Sequence, residues 1–407
     1  MSENVAATEN FDPAEHVRAM IGRHYRTADY YEVGREKVRE YARAVQDFNP
    51  LHWDGDAAKA LGHSNVIAPL TFMSLVGTLA QRRLLEKIAV GFDLSQMLQT
   101  DQILEFYQPI VAGDQLYCDV SLDSYREVMG KDMMVTKNIV SNQRNELVEI
   151  TYTTLLIGRD GDVDKGIIEA AESLVMHGAT TMAARASASD HDDEEQVEHP
   201  PLVTVDHRSS PSVKFEDVSV GDTLPGKTFR LTRGDLVNYA GVAGDANPIH
   251  WSEKFAKLID LDNVLAHGML TMGLGGGYIT EWLGDPGAVK DYTVRFTAPI
   301  PVDTHRAAEI EFGGKIKSLD TDHNFTDITP GDIVVFRGTD GWASETYSGE
   351  GSENPLLKGL QSLGSLVGIA PPDEKDFVKR VIAVGGQTVS VGAASVFFNR
   401  KRDVFCF

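Results

Sequence analysis

The block YARAVQDFNPLHW at residues 41–53 returns as YAGVAGDANPIHW at 239–251, with seven identities in thirteen positions. Such self-similarity constrains the fold strongly, because a duplicated block calls for one supersecondary unit built twice. The register of 198 residues runs on without a gap: Arg35 aligns with Arg233, Ala58 with Ala256, Lys59 with Lys257 and Ala68 with Ala266. After a loop that differs by eight residues, EFYQPI at 105–110 aligns with RFTAPI at 295–300. Two related units therefore account for most of the 407 residues.

Each copy repeats one order of elements. Helical periodicity over 33–45 and 231–242 stops at an Asp-x-Asn-Pro turn, and a second short helix is predicted over 55–61 and 253–259. The near-continuous apolarity of 69–88 and 267–283 predicts a long helix buried on most sides. Strand signals rich in Val, Ile, Thr and Tyr follow at 102–108, 115–125, 133–141 and 147–157. An antiparallel sheet wrapped around one buried helix, an α+β arrangement, fits this order.

Between the copies the composition changes. Asp190 to Glu198 holds six acidic residues and no basic one, which predicts a solvated linker over 161–211. The expected division is a first unit over 1–160, this linker, a second unit over 212–320 and a tail over 321–407. The formal net charge of −22 argues against a nucleic-acid or anionic-membrane surface. Two cysteines far apart give no disulfide framework and no metal pair, so a reducing, cytoplasmic setting is expected. No apolar run is long enough to predict a membrane span.

The chemistry-bearing residues lie in GDANPIH. Pro248 disfavours helix just before it and Asn247 can close an Asx turn, so the chain bends and can bring Asp245 and His250 to one side. Such a pair suits acid–base work on adjacent carbons, and neutral imidazole suits proton abstraction. Gly268, at the expected N-terminus of the long helix beside His267, offers backbone N–H groups to a developing oxyanion. The plain alternative is a turn with a capping aspartate and a satisfied histidine. Asp47, Asn49 and His52 repeat the spacing and form a candidate second site. There, however, Gln46 replaces Gly244 and Pro69–Leu70 replace His267–Gly268, which removes one N–H and crowds the backbone.

YAGVAGDANPIHW followed by AHGMLTMG resembles the hydratase motif of MaoC-like, R-specific hydratases and dehydratases, which have the hot-dog fold. Residues 20–160, with HYRTADYYEVGREKVREYA, APLTF and PIVAGDQLYCDV, resemble the A subunit of the actinobacterial (3R)-hydroxyacyl-ACP dehydratase. Residues 213–320, with LTRGDLVNYAGVAGDANPIHW and VRFTAPIPV, resemble its B subunit. The resemblance implies a fused double hot-dog that reversibly removes water from a (3R)-3-hydroxyacyl thioester. Asp245 and His250 match the catalytic dyad, Asn247 the turn residue and Gly268 the donor to the thioester oxygen, with His267 in support. It implies no cofactor and no metal. The implied partners are acyl-ACP or acyl-CoA and acyl carrier protein; a homo-oligomer is a further candidate. Met73, Leu75 and Leu84 are candidate liners of an acyl channel, and Arg82, Arg83 and Lys87 candidate carrier-docking residues; the commoner roles of such residues are plain core and a solvated helix face.

The tail departs from this pattern. Alignment between the copies stops near Asp320, so the second unit is expected to be truncated by two strands. PGDIVVFRG at 330–338 and DFVKRVIAVGGQTV at 376–389 resemble two blocks of bacterial signal peptidase I, with Lys379 at the position of its general-base lysine. A serine–lysine hydrolase needs its serine as well, and that block is missing. Two expectations follow: the tail either packs poorly or lends its strand-like segments at 333–336 and 378–384 to cover the exposed edge of the second sheet, and a disabled acyl-binding or scaffold protein stands as the rival to an enzyme.

Overall fold

The computed structural model describes residues 11–159 and 201–316, apart from 27–28, 89, 91, 129–130 and 206, together with 173–174 and 319. Of the tail it describes the strand segments 332–337, 378–383, 388–392 and 395–399. The acidic run at 190–198 lies outside the described residues.

The first unit contains α1 (Pro13–Met20), β1 (His24–Arg26), β2 (Tyr31–Glu32), α2 (Arg35–Ala44), α3 (Gly55–Ala60), α4 (Met73–Ile88), β3 (Phe92–Phe106), β4 (Gln115–Val128), β5 (Lys131–Ser141) and β6 (Leu147–Arg159). The second repeats the plan with β7 (Thr223–Leu231), α5 (Arg233–Ala243), α6 (Glu253–Leu258), β8 (Val264–Leu265), α7 (Gly268–Leu283), β9 (Asp291–Arg295), β10 (Pro301–Val302) and β11 (Ala308–Lys315). Strands β12 (Asp332–Arg337), β13 (Val378–Ala383), β14 (Thr388–Gly392) and β15 (Ser395–Asn399) belong to the tail.

Local chemistry explains the element ends. Thr232 and Asp235 close a capping box at the start of α5, satisfying two first-turn N–H groups reciprocally. Gly244 ends the helix in the left-handed region at φ 74°. At the matching position Gln46 takes φ 52°, and its side chain donates to the Arg230 carbonyl (2.9 Å). Close packing dictates the glycines of α7. The Tyr292 hydroxyl, which donates to the Met272 carbonyl (2.6 Å), would lie 2.6 Å from a Cβ at Gly275.

The main sheet is antiparallel and runs β1-β4-β5-β6-β3-β9-β13-β12, with β2 also on β4. The two units join through β3 and β9, from Asp101 opposite Arg295 to Glu105 opposite Asp291. Helices α2 and α5 pack together over the junction, where Tyr41 and Tyr239 approach to 6.2 Å between rings. One apolar cluster runs through both units, from Val17 to Ile316. This is the expected α+β double hot-dog. Strand β3 begins ten residues earlier than its sequence signal, because register shifts at 93–98 and 99–101 interrupt the alternation that reveals a strand.

The first sheet has the order β4-β5-β6-β3. In the second unit β11 pairs with β7, and the described residues before 320 supply no counterparts of β5 and β6. The tail fills both places: β13 pairs antiparallel with β9 at Ile382 opposite Asp291, β12 pairs with β13, and β12 runs beside β11. The end of the linker is also docked. Val203 exchanges backbone bonds with Asn145 and Leu147, and Asp285 accepts from the Ser210 N–H (2.7 Å).

Candidate active site

In the second unit the chain leaves α5 at Gly244 and makes one 3-10 turn, Pro248–His250. Asn247 caps it, its Oδ1 accepting from the Ile249 N–H (3.2 Å), while Pro248 sits where no N–H is needed. Asp245 Oδ1 accepts from the Asn247 N–H (3.2 Å), which turns its other oxygen toward His250 at 3.9 Å from Nε2. The His250 Nδ1 is 2.8 Å from the Leu265 carbonyl. Since a carbonyl only accepts, Nδ1 carries the proton, and at 3.9 Å from Asp245 the Nε2 lone pair stays free. Burial pushes the His250 pKa below its usual 6.5, against the opposing pull of Asp245 and the Leu265 carbonyl.

His267 stacks on His250, with ring centroids 3.8 Å apart and 26° between planes. Its residue exposure is 1%, and neither ring nitrogen has a partner in hydrogen-bond geometry. Burial first, then the charge that His250 can carry, push its pKa down to about 2 against a weak backbone hydrogen bond with Asp245, so it stays neutral. His267 is the N-cap of α7 and gives no side-chain cap, so the first-turn N–H groups, beginning at Gly268, have no side-chain acceptor. The glycine at 268 also has a packing reason, since a Cβ would come 3.2 Å from the Phe296 ring.

The first-unit copy has the same turn and opposite electrostatics. Asn49 again caps its 3-10 turn through the Leu51 N–H (3.1 Å). His52 Nδ1 is 2.7 Å from the Ile67 carbonyl, yet here Nε2 is 3.1 Å from Asp47 Oδ2. Two acceptors on two nitrogens require both to be protonated, which makes His52 an imidazolium paired with a carboxylate. Burial opposes both charges, but their mutual attraction and hydrogen bonds hold the Asp47 pKa down and the His52 pKa up. The pair is enclosed at 3% and 0% exposure and reaches into the other unit. Asp47 accepts from Thr280 Oγ1 (3.4 Å), and Asn49 Nδ2 donates to the Thr280 and Gly284 carbonyls (3.3 and 3.2 Å) at the C-terminal end of α7.

Met73, Leu75 and Leu84, candidates for channel liners or plain core, are buried members of the main core. The side chains of Arg82, Arg83 and Lys379 lie outside the described residues, whereas Lys87 is exposed. A cleft lined by Pro69, Leu70, Phe106, Pro109 and Ile110 marks the first-unit counterpart of the Gly268 region. Its wall includes Glu149, 1% exposed, with Oε1 unpaired and its pKa pushed well up by burial. Neither Glu149 nor the tie from Asn49 to α7 had a signal in the sequence, because each depends on which distant elements meet. Asp245, His250 and His267 each present a donor atom within 4.8 Å of the others, a set able to hold an ion. No helix among the described residues is long and apolar enough to cross a membrane.

An antiparallel sheet around a buried helix, duplicated, with a turn-borne Asp–His pair beside a helix N-terminus, defines the hot-dog hydratase and dehydratase class. Residues 215–333 match the MaoC like domain and residues 19–151 the FAS1-like dehydratase domain region. Residues 294–403 match signal peptidase, peptidase S26, overlapping the MaoC match. A UPF0336 protein of Mycobacterium tuberculosis is 47% identical over 152 residues, which is 37% of this chain and 96% of the relative. A solved MaoC-like dehydratase is 46% identical with a TM-score of 0.69, covering 79% of this chain and 94% of its own. A Mycobacterium tuberculosis protein described as a double hotdog fold, 14% identical with a TM-score of 0.50, covers 82% of this chain and 94% of its own and shares the fold. The chain belongs to the MaoC-like dehydratase family.

Proposed function

We propose that this chain is a (3R)-3-hydroxyacyl-thioester dehydratase, equally a trans-2-enoyl-thioester hydratase, acting on acyl chains carried by acyl carrier protein or coenzyme A. The observation that carries the reading is the contrast between the two copied motifs. Only in the second does the histidine keep a free, unprotonated Nε2, beside a partly exposed carboxylate and the uncapped first turn of α7. Asp245 and His250 would together take one proton from Cα and return one to the leaving β-hydroxyl, so that the sum is loss of water. N–H groups at Gly268 would bear the enolate oxygen, where a preorganised dipole is most effective.

Asp47, Asn49 and His52 take a structural part in this proposal, as a buried tie from the first unit to α7. The first unit, 1–160, would hold the acyl chain; 161–211 would bridge to the catalytic unit at 212–320. The tail, 321–407, would serve through β12 and β13 as sheet strands. Lys379 has no catalytic part in this reading, since a lysine base without its serine completes no hydrolysis.

The test is hydration of a trans-2-enoyl thioester followed by its absorbance. Turnover is expected in the unmodified chain and should fall at least about 100-fold in Asp245→Asn and in His250→Ala, the usual scale of losing a general acid or base. No turnover by the unmodified chain would leave the scaffold reading. Turnover unchanged in both variants would move the activity to Asp47 and His52.

A further inference from the structure

The proposed catalytic pair leaves His267 unused as a donor. A buried imidazole whose nitrogens make no well-formed hydrogen bond is costly, and each such group in a folded protein calls for an explanation. Its neighbours supply one, since His267, His250 and Asp245 converge their donor atoms to within 4.8 Å of one another.

We propose that a borderline divalent transition ion, of which Zn2+ is the type, binds across Asp245, His250 and His267 and reversibly blocks the acyl-thioester site. This rests on the reading of that site as the dehydratase centre. Two imidazoles and one carboxylate with an open fourth position form a common donor set for zinc, while Ca2+ and Mg2+ prefer oxygen. The Leu265 carbonyl holds the His250 Nδ1–H and aims Nε2 outward, the outer-shell support that metal-binding histidines ordinarily have. Donor atoms around tetrahedral zinc lie about 3.3 Å apart at metal–ligand distances of about 2.1 Å, so the three must close by roughly an ångström. Turning the His267 ring supplies this movement at the cost of no more than a weak backbone contact with Asp245. Asp245, with a side-chain exposure of 44%, leaves an entry path from solvent.

The first unit is an internal control. Pro69 occupies the position of His267, and both nitrogens of His52 are engaged, so the copied motif offers an ion neither a third ligand nor a free lone pair. The inference therefore calls for one ion per chain.

Titrating the full chain with Co2+, which reports nitrogen and oxygen coordination through its visible absorption, tests this directly. One Co2+ should bind per chain and be displaced by Zn2+. Zn2+ should abolish enoyl-thioester hydration, and a chelator should restore it. Binding should weaken at least tenfold in both Asp245→Asn and His267→Phe, and be unchanged in His63→Phe, which alters the His63–His207 pair elsewhere. Because Asp245 is partly exposed, its variant keeps the test valid if His267→Phe fails to fold. Absence of Co2+ binding at millimolar concentration overturns the inference. So does binding that survives Asp245→Asn undiminished, or full turnover at saturating Zn2+. The Co2+ spectrum does not depend on turnover. Absence of turnover alone therefore sinks the dehydratase reading and not the ion site.

Discussion

At the scale of single residues, one motif of seven positions takes two protonation states. His52 and His250 both donate Nδ1–H to the carbonyl fifteen residues onward, of Ile67 and Leu265. What differs is the carboxylate, 3.1 Å from one imidazole and 3.9 Å from the other. The closer pair is an enclosed ion pair. With the Asp47 pKa lowered and the His52 pKa raised, its stabilising contribution is fullest between the ordinary values of 3.8 and 6.5. It is lost as pH falls through the folded pKa of Asp47 or rises through that of His52. The looser pair leaves a base. Because the His250 pKa is lowered, the imidazole remains neutral to a lower pH than a free histidine. If it acts as the base, kcat/KM for hydration should stay flat through 6.5 and fall only below it. A pH–rate profile whose acid limb lies above 6.5 would contradict this. The Asx turns and the residues of both pairs were legible in the sequence. Their charge states were not, because those depend on a carboxylate rotamer and on Thr280, supplied by an element 233 residues away in the chain from Asp47.

At the scale of elements, α7 is where the units exchange support. Its first turn lacks a side-chain cap, while its last carbonyls receive Asn49 from the first unit. A helix end buried in this way needs such partners, and an asparagine that also caps its own 3-10 turn serves both ends of the contact. Asn49→Ala removes both donations to α7 and the acceptor for Leu51. It should cost about 2 kcal/mol at the typical scale of caps and buried hydrogen bonds, measured by urea unfolding. Asn247→Ala, with Asn247 exposed and bonded only within its own turn among the contacts described, should cost about half as much or less. Equal losses in the two variants would show that the tie to α7 contributes nothing. The sequence placed both helices because apolar periodicity is local. Which end of α7 meets which loop is set by the pseudo-symmetric docking of two units, and no local pattern encodes it.

At the scale of the whole molecule, the two units share one sheet and one core, so the second unit is only as complete as the strands beside β9. That edge would otherwise present unpaired backbone groups, a template for association between chains. The break in the repeat near Asp320 made the deficit legible in the sequence, as did the strand-like segments at 333–336 and 378–384. Their order in the second sheet, 378–383 against β9 and 332–337 outside it, was not, because β-pairing between distant segments depends on available edges more than on local propensity. Strand β13 lies antiparallel to β9 and β12 antiparallel to β13, reproducing the positions of β6 and β5 in the first unit. A chain ending at Asp320 should therefore unfold at a lower temperature than the full chain and self-associate as its concentration rises. Scanning calorimetry with light scattering measures both effects. Charged substitutions on β9 facing the bare edge should suppress the association without restoring the lost stability, since they block pairing and supply no partner strand. A truncated chain that matched the full chain in melting temperature and remained monomeric would mean that the tail strands contribute nothing to the sheet.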